Sequence, residues 1–136
     1  MIYTQYNSIN NIVVTGRENS LIYITGGTPY YVLELFNQMT NETKVVVTPI
    51  LSSNSRYDLI QLTITGNSTS QNLTAGTIYL PYNNYFNYKL YEKSIISTTI
   101  NSTDTLLEQG LMFLSGDSLY NIISYNNTNT IITYNN

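Results

Sequence analysis

The chain contains no cysteine, no histidine and no tryptophan, and among its 136 residues there is a single alanine, Ala75. Without histidine it lacks the side chain that ordinarily exchanges a proton near neutral pH. Without cysteine it has no thiolate to serve as nucleophile or metal ligand, and no disulfide. A Ser-His-Asp triad, a Cys-His dyad, a zinc site and a disulfide framework are therefore excluded, and no cofactor is expected. Charge is scarce too: five cations against eight acids give a net charge of -3, too dilute for a polyanion-binding surface, so nucleic acid is not an expected partner. No apolar run approaches the ~20 residues of a membrane span. Met1 to Asn10 lacks a basic start followed by an apolar run, so a soluble chain without an export signal and without a membrane partner is expected.

What is present is a strand-forming alphabet. The sequence holds 19 Asn, 19 Thr, 16 Ile, 14 Tyr and 13 Ser, and β-branched and aromatic side chains suit a pleated surface while the best helix former is almost missing. A mainly helical fold is excluded, and the length suits one core. Asn, Ile, Tyr and Lys are all written by AT-rich codons, yet lysine occurs only at Lys44, Lys89 and Lys93, so base composition alone does not account for the balance.

Strand-like runs alternate with turn chemistry. Asn10 to Thr15 and Ser20 to Thr25 read as two short strands joined by a hairpin turn at Gly16-Arg17-Glu18-Asn19, and Gly26-Gly27-Thr28-Pro29 then breaks the chain. Tyr30 to Asn37 alternates, with Tyr31, Leu33 and Leu35 on one face and Glu34 on the other. Gln38 to Thr43 supplies a turn, Lys44 to Thr48 resumes an extended run that ends at Pro49, and Ser52 to Ser55 reads as a loop. Asp58 to Thr65 alternates again, Asn67 to Gly76 is a long polar connection, and Thr77 to Leu80 is a brief strand. Tyr85 to Glu92 places Phe86, Tyr88 and Leu90 inward and allows a tyrosine-corner-like contact. After a loop over Lys93 to Asp104, Thr105 to Ser115 forms a further strand in which Gly110 marks a bulge or a close backbone approach.

Seven or so such runs with no helical period between them predict an all-β fold, an antiparallel immunoglobulin-like β-sandwich over residues 1–116, with a small barrel as the alternative. Residues 117–136 read as a C-terminal extension, either an arm or an extra hairpin, because Leu119 to Tyr125 and Thr130 to Tyr134 flank Asn126-Asn127-Thr128-Asn129.

Motifs for catalysis are wanting. The acids Glu18, Glu34, Glu42, Asp58, Glu92, Asp104, Glu108 and Asp117 form no close pair, and Glu34, Glu92 and Glu108 read as outward-facing or ion-paired strand residues. No phosphate loop, calcium loop or dinucleotide fingerprint occurs. Five glycosylation-type tripeptides begin at Asn41, Asn67, Asn72, Asn101 and Asn126, about as many as this composition yields by chance. An enzyme is not expected. The chemically distinctive surplus is tyrosine, which offers flat apolar area with a hydrogen-bonding tip at low entropic cost. The cluster Tyr79, Tyr82, Tyr85, Tyr88 and Tyr91 is the densest. Tyr79, Tyr82, Tyr85 and Tyr91, with Ile122, Ile123, Ile131 and Ile132 of the extension, are the candidate partner-binding residues.

Four segments in order, Leu35-Phe36-Asn37-Gln38-Met39-Thr40, Arg56-Tyr57, Phe86-Asn87-Tyr88-Lys89-Leu90-Tyr91-Glu92 and Leu107-Glu108-Gln109-Gly110, resemble a family of small virion proteins of tailed bacteriophages, crAss-like phages among them. The resemblance spans roughly Tyr30 to Ser115 and departs at Leu80-Pro81-Tyr82 and after Gly116. It implies a structural role on the capsid surface of a virion, as an auxiliary or decoration protein binding the major capsid protein in many copies per particle. Alternatives are an adaptor joining head fibres or tail parts to the shell and a carbohydrate-binding adhesion module.

Overall fold

The computed structural model describes residues 1–80 and 84–116. The strands among them are β1 (Ile2–Gln5), β2 (Ser8–Val14), β3 (Tyr30–Asn37), β4 (Glu42–Thr48), β5 (Ile50–Ser53), β6 (Asp58–Thr65), β7 (Thr77–Tyr79), β8 (Asn84–Lys93) and β9 (Thr105–Ser115). They form a five-stranded sheet in the order β1-β9-β8-β3-β4 and a second sheet in the order β2-β6-β5, with β7 pairing in parallel with β6. The two sheets pack face to face as a sandwich. The all-β sandwich expected from the succession of strand-like runs is the architecture observed. The additional hairpin or arm expected over 117–136 lies outside the described residues.

The core follows from period-two alternation. In β6, Asp58, Ile60, Leu62 and Ile64 are buried while Leu59, Gln61, Thr63 and Thr65 are half-buried. From the other sheet Tyr31, Leu33, Leu35, Val46, Phe86, Leu90, Met112 and Leu114 face them, joined by Ile12, Val14 and Ile78 in one apolar cluster. Pro49, which has no N–H to give to a ladder, stands where the chain leaves β4 in one sheet and enters β5 in the other. The β3–β4 hairpin closes on an Asx turn. The Asn37 side-chain oxygen accepts from the N–H groups of Met39 (2.9 Å) and Thr40 (3.3 Å), and Asn41 takes a left-handed φ of 58°.

Several local expectations are corrected. Ser20 to Thr25 is not a strand, and Gly16 to Asn19 is not a hairpin turn. Gly16–Asn19 is a 3-10 turn and Leu21–Ile24 a single helical turn, α1. The run turns because acceptors for its free N–H groups are at hand: Ser20 Oγ accepts from Tyr23 N (3.2 Å), and the Glu92 carboxylate accepts from Leu21 N (2.8 Å). Ser52 and Ser53, read as loop, lie in β5 through pairing with Leu59 and Asp58. Strand β1, which pairs in parallel with β9, was not expected. The bulge in the β8–β9 ladder falls between Leu90 and Tyr91, opposite Glu108 and Leu106, rather than at Gly110. Gly110 instead admits the Tyr88 ring, whose Cε1 would lie 3.1 Å from an added Cβ.

Gly76 is the strictest backbone position. Its φ is +83°, an added Cβ would lie 2.5 Å from Pro49 Cδ, and its carbonyl accepts from Thr63 N at 2.8 Å to start the β6–β7 pairing. Gly76→Ala is expected to cost about 1–3 kcal/mol of unfolding free energy, combining backbone strain with overpacking. Urea denaturation would measure it, and a change below about 0.5 kcal/mol would contradict this geometry.

Candidate interaction surface

Three acids turn inward, and the fold uses each as a clamp. Asp58, 0 % exposed, accepts a hydrogen bond from the Tyr31 hydroxyl and pairs with Arg17 at 3.3 Å. The Arg17 guanidinium lies 3.7 Å from the centroid of the Tyr23 ring, and Tyr23 Oη is 3.2 Å from Ser53 Oγ. Glu92, 4 % exposed, accepts from the Ser20 hydroxyl and from Leu21 N and Ile22 N. Glu108 accepts from Thr15 N (2.6 Å), Thr15 Oγ1 (2.9 Å) and the Tyr88 hydroxyl (2.7 Å). These contacts bind the segment from Thr15 to Ile24 onto both sheets. Glu92 and Glu108 were expected to face outward or to be ion-paired; Glu92 is buried and both bind neutral donors, because turn N–H groups and hydroxyls need acceptors there. The contact expected of a tyrosine corner is likewise replaced, since Tyr88 donates to a carboxylate rather than to backbone.

Burial, reinforced by a carboxylate acceptor, holds the phenols of Tyr31 and Tyr88 well above the ordinary tyrosine range. Such groups stay neutral and donate. Among the described residues no three acids gather into a group able to hold a metal ion.

The outer face of the five-stranded sheet has a different character. Register places its side chains in rows across the strands, successive rows about 7 Å apart. The first row is Tyr3, Phe113 and Tyr85, the second Leu111, Asn87 and Phe36, and the third Gln109, Lys89 and Glu34. A fourth, Tyr91, Val32 and Val47, is mostly closed, Val32 being fully buried and Ile96 sharing a recess with Val47. In the first row Tyr3 is 74 % and Tyr85 49 % exposed, and the Tyr85 and Phe113 rings lie 4.7 Å apart at 42°, a tilted aromatic pair. The second and third rows line a shallow concavity of about 560 Å³ in which Glu34, Asn87, Lys89 and Gln109 surround Phe36 and Leu111.

The candidate tyrosines are thereby separated. Tyr85 is exposed in the first row. Tyr91 lies half-buried in the fourth row, about 20 Å further along β8. Tyr79 is half-buried in the other sheet, with Lys44 Nζ on its carbonyl at 2.7 Å and 5.1 Å from its ring centroid. Tyr88 is buried on the inner face. Tyr82, Ile122, Ile123, Ile131 and Ile132 lie outside the described residues. Sequence reasoning passed over Tyr3, Leu111 and Phe113. The available signal was Gly110 to Ser115, apolar at four successive positions, which a strand with one wet face does not need. No family model, curated protein or solved structure matches the chain.

Proposed function

We propose that this chain is a structural virion protein of a tailed bacteriophage, an auxiliary (decoration) protein that binds the major capsid protein lattice through the outer face of its five-stranded sheet. The observation that carries the reading is the aromatic row Tyr3-Phe113-Tyr85, in which Tyr3 and Tyr85 are exposed, set on three hydrogen-bonded strands. Rigid aromatic side chains give contact area with little loss of rotamer freedom, and aromatic anchors dominate binding between proteins. The ordered resemblance over Tyr30 to Ser115 supports the virion setting. Many shallow contacts of this kind stabilise a shell by mass action, since each bound copy favours the assembled state.

The experiment is reconstitution on purified particles. Quantitative gels should find the chain in a copy number that is a multiple of the lattice, whereas an adaptor would follow the symmetry of one vertex. Tyr3→Ala with Tyr85→Ala should weaken rebinding to stripped particles at least about tenfold while circular dichroism stays unchanged. Rebinding at wild-type strength, or absence of the chain from every particle, would overturn the proposal.

A second reading is favoured by one feature, the concavity beside that row. Carboxylate, amide and ammonium groups around Phe36 and Leu111 suit a sugar ring, and an adhesion module would use them. Binding of the free protein to a glycan array, lost with Phe36→Ala and retained with Tyr3→Ala, would select it.

A further inference from the structure

Among the described residues the second sheet has an edge that no strand covers. The first strand, β1, pairs with β9 in the other sheet. Among the described residues β2 therefore has β6 as its only sheet partner. The hydrogen bonds of β6 show which groups remain. Gln61 N donates to Pro49 O (3.0 Å) and Thr63 N to Gly76 O (2.8 Å), so these β6 residues turn their backbone away from β2. Their neighbours Ile60, Leu62 and Ile64 turn toward it, opposite Ile12, Asn10 and Ser8. Ile9, Asn11 and Val13 are thus the residues whose N–H and C=O groups point out of the sheet, and Ile9 and Val13 also expose their side chains, by 65 % and 54 %.

Other sheet edges carry protection of the usual kinds. Strand β4 bears Glu42 and Lys44, and its Val47 N–H is bound by Leu73 O at 2.7 Å. Strand β1 has only four residues, and the Asn10 side chain satisfies both Gln5 N (2.7 Å) and Gln5 O (3.1 Å). Strand β5 is short and carries a register shift, and β7 has three residues. Strand β2, Ser8-Ile9-Asn10-Asn11-Ile12-Val13-Val14, has seven residues, no charge, no proline, no glycine and an unbroken register.

We infer that β2 pairs with β2 of a second copy of this chain, antiparallel about a two-fold axis at Asn11. Self-complementarity selects this occupant. About that axis Asn11 faces Asn11 of the other copy, and Ile9 faces Val13 and Val13 faces Ile9 on the outer face. All three are residues with outward-pointing backbone, so each forms a doubly hydrogen-bonded pair and no outward group of these residues is left over. The apolar pairs join across the seam, and no like charges meet because the strand has none. The two smaller sheets then become one continuous sheet. The pairing uses the opposite sheet from the aromatic row and does not depend on the capsid reading.

The test is the oligomeric state of the full chain by sedimentation equilibrium and light scattering. The wild type should dimerise reversibly at concentrations up to about 1 mM. Asn11→Pro, which removes an outward N–H on an edge strand, and Ile9→Lys with Val13→Lys, which sets like charges opposite each other, should each raise the dimer dissociation constant at least about tenfold. Ile9→Lys with Val13→Glu places opposite charges together only in the antiparallel register, so it should bind more tightly than the double lysine variant. Circular dichroism and the urea midpoint establish that each variant is folded. A wild type that stays monomeric to about 1 mM, a dimer indifferent to these changes, or equal affinity of the two charged variants would overturn the inference.

Discussion

Asp58→Ala is expected to lower the free energy of unfolding by about 3–5 kcal/mol, a large share of the 5–15 kcal/mol typical of a domain. The carboxylate is fully buried at the start of β6 and serves two partners from other elements, the Tyr31 hydroxyl of β3 and the Arg17 guanidinium of the 3-10 turn. Truncation leaves a buried hydroxyl without its acceptor and a largely buried cation without its counter-ion, and each orphaned group costs more than the bond it made. Tyr31→Phe should cost less, about 1–2 kcal/mol, because Asp58 keeps Arg17. The double variant should cost less than the sum, by about 0.5–3 kcal/mol, since the hydroxyl orphaned by the first change is absent in the second. Urea unfolding of the four proteins at neutral pH closes the cycle. Strict additivity, or a loss below about 1 kcal/mol for Asp58→Ala, would mean that the clamp does not hold the two sheets together.

How far the sequence could be read depended on whether the cause of a structure lay within a few residues of it. Asp58 to Thr65 and Tyr30 to Asn37 were legible because one face of each is buried against the core and alternation records it directly. The turn at Leu21–Ile24 was not, since the group that accepts its N–H donors is Glu92, some seventy residues away in sequence. Strand β1 was hidden for a similar reason: its four residues owe their conformation to β9, and its inward Thr4 is polar. The candidate surface was legible in kind and not in place. Tyrosine excess pointed to amphipathic contact area, and Tyr85 is about half exposed. Yet spacing along one strand cannot tell that Tyr79 belongs to the other sheet, or that Tyr3 and Phe113 come from strands far apart in the chain to stand beside Tyr85. The β2 edge that no described strand covers was legible least of all, because an edge is defined by the pairing it lacks.

The same buried phenols make alkali a selective denaturant. In an unfolded chain tyrosine ionises near pH ~10, whereas in the fold the hydroxyls of Tyr31 and Tyr88 are held neutral well beyond that by burial, each donating to a carboxylate. Below the unfolded value both states keep these protons and the two groups contribute nothing to the pH dependence. Above it the unfolded state releases them while the native state holds them, so stability falls as pH rises, by up to about 1.4 kcal/mol per unit for each tyrosine. Tyr31→Phe with Tyr88→Phe should therefore be less stable than wild type near neutrality yet show a distinctly flatter alkaline limb. Lysines and exposed tyrosines titrate alike in both proteins, so the difference between the two limbs isolates the pair. Ultraviolet titration gives an independent reading: of the 14 tyrosines, these two should ionise only as the fold is lost, with absorbance and circular dichroism changing together. Parallel limbs in the two proteins would mean that water reaches these hydroxyls, and with it the carboxylates that clamp the sandwich.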